Sequence, residues 1–160
     1  MEFLNYLLLS ITAFSGILLG IILIKIAPEE QMPLVKYFTV SKRILLALMF
    51  AFLIFFYIFD RLSLLLSILL LFPALFVELK SEDSARKLSE IFALLGIIFF
   101  LSSPNSNLIA VTSALIFIYG ALFSSIIYSR NLIRTLASGF MFILVSSALF
   151  LFNYHFSFLI

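Results

Sequence analysis

The sequence predicts an all-α protein, a polytopic bundle of transmembrane helices. Of its 160 residues, 64% are hydrophobic and only 11% are charged, whereas an ordinary soluble domain is about 45–50% apolar and about 25% charged. A soluble fold of this length cannot bury so much apolar surface, because a small fold has a large surface relative to its volume. Several apolar runs also approach the roughly 20 residues that a bilayer-spanning helix needs. Lipid must therefore solvate most of the chain.

Six apolar segments predict six spans, which form a single transmembrane domain over residues 1–160. The expected spans are approximately 3–26, 44–59, 62–78, 88–102, 107–128 and 135–153. Only Asp60 and Arg61 separate the short second and third spans, so we expect a tight hairpin with these two charges at the membrane interface. One continuous helix would place both charges at mid-membrane, at a cost of at least ~2.5–3.5 kcal/mol each. Pro73 is expected to kink the third span.

The basic residues predict the orientation of the chain. Every Lys and Arg except Arg61 lies in or beside loops one, three and five. Basic loops remain in the cytoplasm during insertion. We therefore expect a multi-pass protein of the cell membrane with these three loops cytoplasmic and both termini outside. Each half of the chain holds three spans, so a 3+3 inverted repeat is geometrically allowed, although the halves share no residue-level match.

Small residues predict which helices pack together, because helices in lipid approach most closely where side chains are small. Gly16 and Gly20 form a GxxxG pattern in span one, and Gly120 and Gly139 lie among small residues of spans five and six. We expect these glycines to pack helices within one chain rather than to form a homodimer. Spans one, five and six should form the packed centre. Span two, whose small residues are all alanine, should be more exposed to lipid.

No pattern in the sequence indicates an enzyme, a cofactor site or a metal site. The chain has no cysteine, so thiolate chemistry is excluded. Every Asp, Glu, Lys and Arg is expected at the end of a span or in a loop, which argues against a proton pump and against an aspartyl intramembrane protease. The single histidine, His155, is expected to be interfacial rather than a catalytic base. The net charge of +2 is too small to indicate nucleic-acid binding.

Two groups of residues remain as candidate sites. The first is a midplane polar cluster of Thr12, Ser15, Tyr119, Ser146 and Ser147. It would line a polar cavity or, as we favour, supply hydrogen bonds between helices. The second is the first loop with its charged residues Glu29, Glu30, Lys36, Lys42 and Arg43. That loop would bind a partner or an anionic lipid headgroup, or it would simply end a helix with solvated charges.

These observations predict a structural or accessory subunit of a membrane protein complex. Its partners would be the lipid bilayer and other membrane proteins, with no nucleic acid and no cofactor. The alternative is a small transporter or channel for a neutral or weakly polar solute. That alternative requires a midplane site between spans one, five and six, because transporters place their sites at this depth.

Overall fold

The computed structural model describes residues 2–27, 29, 31–79, 85–127 and 132–159, and six α-helices account for nearly all of them. Helix α1 spans Phe3–Ile26, α2 Gln31–Phe56, α3 Arg61–Leu79, α4 Ala85–Ser102, α5 Ser106–Ile127 and α6 Leu132–Leu159. The all-α prediction is confirmed, since the described residues contain no strand. Five of these helices are long and apolar enough to cross a membrane, whereas the apolar part of α4, Ser89–Ser102, is shorter. The chain is therefore a helical bundle of the multi-pass membrane class.

Helix α2 begins well before the predicted span 44–59. Pro33 lies in the first turn of α2. Backbone nitrogens in the first turn donate no hydrogen bond within the helix, so a proline is tolerated there. The residues that follow do not interrupt the helix, because lysine and arginine are good helix formers. Lys36, Lys42 and Arg43 consequently lie on a helix and not in a loop, which corrects the expected extent of loop one.

A short turn joins α2 to α3 at the position where the hairpin was predicted. The backbone carbonyl of Asp60 accepts the Leu64 N–H at 2.9 Å, and its carboxylate accepts the Ser63 hydroxyl at 2.5 Å. The Tyr57 phenol donates to the carbonyl of Leu101 and so ties the turn to the end of α4. Burial, followed by the charge of Asp60, raises the pKa of Tyr57. The phenol therefore keeps its proton as a donor at neutral pH.

Helices α1 and α5 share the most extensive helix contact in the described part of the chain. A Cβ atom added at Gly16 would lie 2.0 Å from the carbonyl oxygen of Phe117. One added at Gly20 would lie 2.2 Å from the carbonyl oxygen of Ala121. Real Cβ atoms do not approach other atoms so closely, so the two backbones meet only because both positions lack a side chain.

The remaining glycines also lie at helix contacts. Gly120 and Gly139 both face the side chain of Ile17, so α5 and α6 converge on the same residue of α1. Gly96 of α4, which the sequence analysis did not single out, approaches the Phe142 carbonyl of α6, where an added Cβ would lie 2.9 Å away. The bundle is thus built from two close pairs, α1 with α5 and α4 with α6, and α1 also packs on α6.

The ranking of central and lipid-facing helices differs from the prediction. Helix α5 buries the largest share of its span and α3 the smallest, while α2 and α6 bury equal shares. The expectation that α2 would be more exposed than the packed centre holds against α1 and α5 but not against α6, because α2 packs against α5 through large side chains. Its buried residues include Leu46, Met49, Phe50 and Leu53. Small residues therefore identify the closest helix contacts but not every buried face.

The helix contacts do not follow a 3+3 inverted repeat. Such a repeat would relate α4 to α1 and α6 to α3, so the extensive α4–α6 contact would have a counterpart between α1 and α3. Within the described ranges α1 and α3 share no extended contact. Helix α3 packs instead against α2 and α4, and it continues through Pro73 to Leu79.

The α1–α5 contact predicts unequal effects of alanine at two glycines. Gly16→Ala should lower the thermal midpoint, because the new methyl group forces the helices apart, and such overpacking typically costs about 1–3 kcal/mol. Gly120→Ala is the matched control, since its Cβ would lie 3.1 Å from the Ile17 side chain and 3.3 Å from the Ile17 backbone nitrogen, a much milder crowding than the 2.0 Å contact at Gly16. Thermal unfolding in detergent, followed by helical circular dichroism, measures both variants. Equal midpoints would contradict the proposed importance of the backbone contact.

Candidate functional site

Three helices bring an acid, a base and a phenol together inside the bundle. Glu78 of α3, Lys42 of α2 and Tyr119 of α5 are only 3%, 8% and 0% exposed. The Lys42 Nζ atom lies 3.0 Å from Glu78 Oε1. The Tyr119 hydroxyl donates to Glu78 Oε2 at 3.3 Å. Together with Arg43, described below, these residues form what we call the Glu78 cluster.

Helical spacing explains why these three side chains point inward. Residues three, four and seven positions apart lie on one face of a helix. The buried face of α2 contains Lys42, Leu46, Met49 and Leu53. The buried face of α5 contains Thr112, Ile116, Tyr119 and Phe123. The buried residues of α3 are Ser67, Ala74 and Glu78. Lys42, Tyr119 and Glu78 therefore each continue a packed helix face.

The electrostatics of the cluster are dominated by positive charge. The Arg43 Nε atom lies 3.9 Å from Glu78 Oε1, and about half of its side chain is exposed. When all three groups are ionised, the two positive charges of Lys42 and Arg43 and the one negative charge of Glu78 sum to a net charge of +1. The Lys42 ammonium also lies 5.1 Å from the centroid of the Phe123 ring, whose π face attracts a cation. Arg43 places this excess charge at the surface of the bundle.

The cluster supports two kinds of chemistry. As a structural element, it ties the peripheral helix α3 to α2 and α5, because an unpaired buried charge is costly and a partner reduces that cost. As a binding site, a buried carboxylate can exchange its lysine partner for another cation or for a proton. Ionisable groups between apolar helices often mark such sites in membrane proteins.

The five residues of the predicted midplane cluster do not form one hydrogen-bonded group. The hydroxyls of Thr12, Ser15 and Ser146 donate to backbone carbonyls of their own helices, as serine and threonine commonly do within helices. Tyr119 donates to Glu78 instead. The Ser147 hydroxyl is buried without a hydrogen-bond partner. The assignment of Tyr119 to that cluster therefore changes, because its partner comes from α3.

The charged residues predicted for loop one fall into separate environments. Lys42 and Arg43 approach Glu78, so they are not available as loop cations. Glu29 and Lys36 are exposed and remain candidates for contact with a partner or a headgroup. Glu30 lies outside the described residues.

Sequence reasoning missed Glu78 as a candidate site residue. Glu78 lies at the end of α3, as the sequence predicts, and Lys42 lies within α2, but the sequence does not predict that both are buried between helices. The available signal was periodicity. Lys42 lies one turn before Leu46, and Glu78 lies one turn after Ala74. Extending each apolar face by one turn would have placed both charges inside.

The fold and this cluster define the class of protein, a multi-pass helical membrane protein with a buried ionic cluster. No family model, curated protein or solved structure matches the chain. Any assignment of function therefore rests on the contacts described above.

The Glu78 cluster predicts opposite outcomes for single and double substitutions. Lys42→Met or Glu78→Gln alone should destabilise the bundle by at most about 3–5 kcal/mol, because each removes the closest counter-charge of a buried group. The double variant Lys42→Met with Glu78→Leu should recover most of this loss, because well-packed apolar residues replace buried ion pairs at little cost. Unfolding by heat or denaturing detergent provides the measurement.

Arg43→Gln is the control for this comparison. Its side chain is half exposed and more distant from Glu78, so the expected loss is at most about 1 kcal/mol. A double variant as unstable as either single variant would argue against the pairing energy as the source of the effect.

Proposed function

We propose that this protein is a structural or accessory subunit of a membrane protein complex. The observation that carries the proposal is the close backbone contact between α1 and α5 at Gly16 and Gly20. A bundle closed at this contact has little room there for a solute path between spans one, five and six. The chain would then act through its surface, by contact with other membrane proteins.

Helix α3 is the surface best suited to such contact. It buries the smallest share of its span among the five span-length helices and packs only on its neighbours α2 and α4 to any extent. Exposed apolar side chains on the half of α3 that ends at Leu79 include Leu75 and Phe76. A partner helix that packs there would gain dispersion contacts without displacing any part of the bundle.

The proposed setting is the cell membrane, with six crossings, both termini outside and loops one, three and five cytoplasmic. The distribution of Lys and Arg supports this orientation. In the same orientation Glu78 lies in the inner half of the bilayer, because α3 runs inward from Arg61 to Leu79.

The subunit proposal predicts a discrete partner on α3. A photo-crosslinking amino acid at Phe76, which is 69% exposed, should give one adduct of defined mass, and mild detergent should retain the same protein stoichiometrically. The matched control is Phe140 on α6, which is 61% exposed and should give no such adduct. A stable monomer without adducts at either position would count against the proposal.

The alternative function is a small transporter or channel for a neutral or weakly polar solute. One observation favours it, namely the buried Glu78 cluster, since charges between apolar helices often line transport sites. The site would then lie between α2, α3 and α5 and not between spans one, five and six. Because no cysteine occurs in the chain, a thiol reagent that labels this protein can react only with the introduced cysteine, and its reaction measures access to water.

The transporter alternative predicts that aqueous thiol reagents react with a cysteine at Tyr119, beside Glu78. Ser146→Cys tests the originally expected site near α1 and α6. Ser106→Cys, at the exposed start of α5, is the positive control, and its reaction with an impermeant reagent applied to intact cells also checks the orientation. Complete protection at positions 119 and 146, with Ser106→Cys labelled, would exclude a water-accessible path at both sites.

A further inference from the structure

A groove on the outer half of α3 combines an apolar floor with one cationic end. It has a volume of about 430 Å³. The residues that line it are Ile58, Arg61, Leu64, Leu65, Ile68, Leu69 and Phe72. We propose that this groove binds an anionic phospholipid, with one acyl chain along the leucine and isoleucine side chains and the phosphate on Arg61. This inference is independent of the proposed subunit function.

The length of the groove matches one leaflet of a bilayer. From Arg61 to Phe72 the helix rises about 16 Å, at roughly 1.5 Å per residue. The hydrocarbon core of a bilayer is about 30 Å thick, so the groove extends from the interface to near the midplane. An acyl chain that begins beside Arg61 would therefore extend towards the midplane and pass Phe72, parallel to the acyl chains of the surrounding lipid.

The charge of Arg61 is available to a ligand. Among the described residues Arg61 forms no ion pair. Within the described part of the chain no ion pair joins it to its neighbour Asp60, whose carboxylate accepts the Ser63 hydroxyl. A guanidinium binds a phosphate through two parallel hydrogen bonds. The Arg61 guanidinium is therefore free to bind an anion.

A phospholipid fits this groove better than a protein helix does. An apolar helix laid along it would cover Arg61 without supplying a counter-charge, which is costly in lipid. A second copy packed by parallel two-fold symmetry would bring two Arg61 side chains to the same level, where they repel each other. A phospholipid supplies both the apolar chain and the anion.

The test uses a tryptophan as a fluorescent reporter, since the chain contains none. Phe72→Trp places it at the inner end of the groove. The protein is reconstituted in vesicles of phosphatidylcholine and phosphatidylglycerol, with bromine on the acyl chains of one lipid at a time. Brominated phosphatidylglycerol should quench this tryptophan with an apparent preference of about fivefold over brominated phosphatidylcholine, as expected for one arginine near the surface.

Four controls make the result specific. Phe140→Trp, on the exposed face of α6, should be quenched in proportion to the bulk lipid composition. Arg61→Gln should abolish the preference at Phe72→Trp, and Arg61→Lys should keep part of it. The Phe140 reporter in the Arg61→Gln background shows whether that variant still folds and inserts.

Several outcomes would overturn the proposal. Equal quenching by both lipids at Phe72→Trp would mean that only bulk lipid contacts the groove. A preference that survives Arg61→Gln would place the anion elsewhere. Protection from both lipids that grows with the protein-to-lipid ratio would mean that a second copy occupies the groove.

Discussion

The close approach of α1 and α5 determines how the other helices are arranged. Because Gly16 and Gly20 allow the two backbones to touch, α5 lies deep enough to contact α1 on one side and α2 on another. That position turns Tyr119 and Phe123 towards α2 and α3, where they meet Lys42 and Glu78. A side chain at Gly16 would displace α5 and separate these partners. The buried ionic cluster thus depends on an uncharged contact between two backbones.

Helix α3 is positioned mainly by polar groups, although most of its surface is apolar. At its start, the Asp60 carboxylate accepts the Ser63 hydroxyl and Tyr57 ties the preceding turn to α4. At its end, Glu78 joins it to α2 and α5. In lipid, apolar side chains gain little by exchanging lipid for protein, so polar contacts carry more of the specificity. This explains how α3 keeps its place while burying so little of its surface.

Much of the fold could be predicted from the sequence, and the features that could not be predicted are those that depend on contacts between several helices. Apolar run lengths and the cost of a charge at mid-membrane correctly separated α2 from α3 at Asp60 and Arg61. The pairing of Lys42 with Glu78 was missed because a hydropathy argument treats each residue alone, whereas their burial requires three helices to meet. The buried face of α2 was missed for a related reason, since its large side chains pack only because α5 is already near.

Each end of α3 carries a charge that is costly to leave unpaired in a membrane, but the two charges find their partners in different ways. Glu78 has its counter-charges inside the bundle, because α2 supplies Lys42 and Arg43 within 4 Å. Arg61 forms no ion pair among the described residues. A charge at the membrane interface can be satisfied by water or by a headgroup, whereas a charge between helices must be satisfied by protein. The protein therefore supplies counter-ions at the Glu78 end of α3 and none by contact at the Arg61 end, where the proposed phospholipid would provide one.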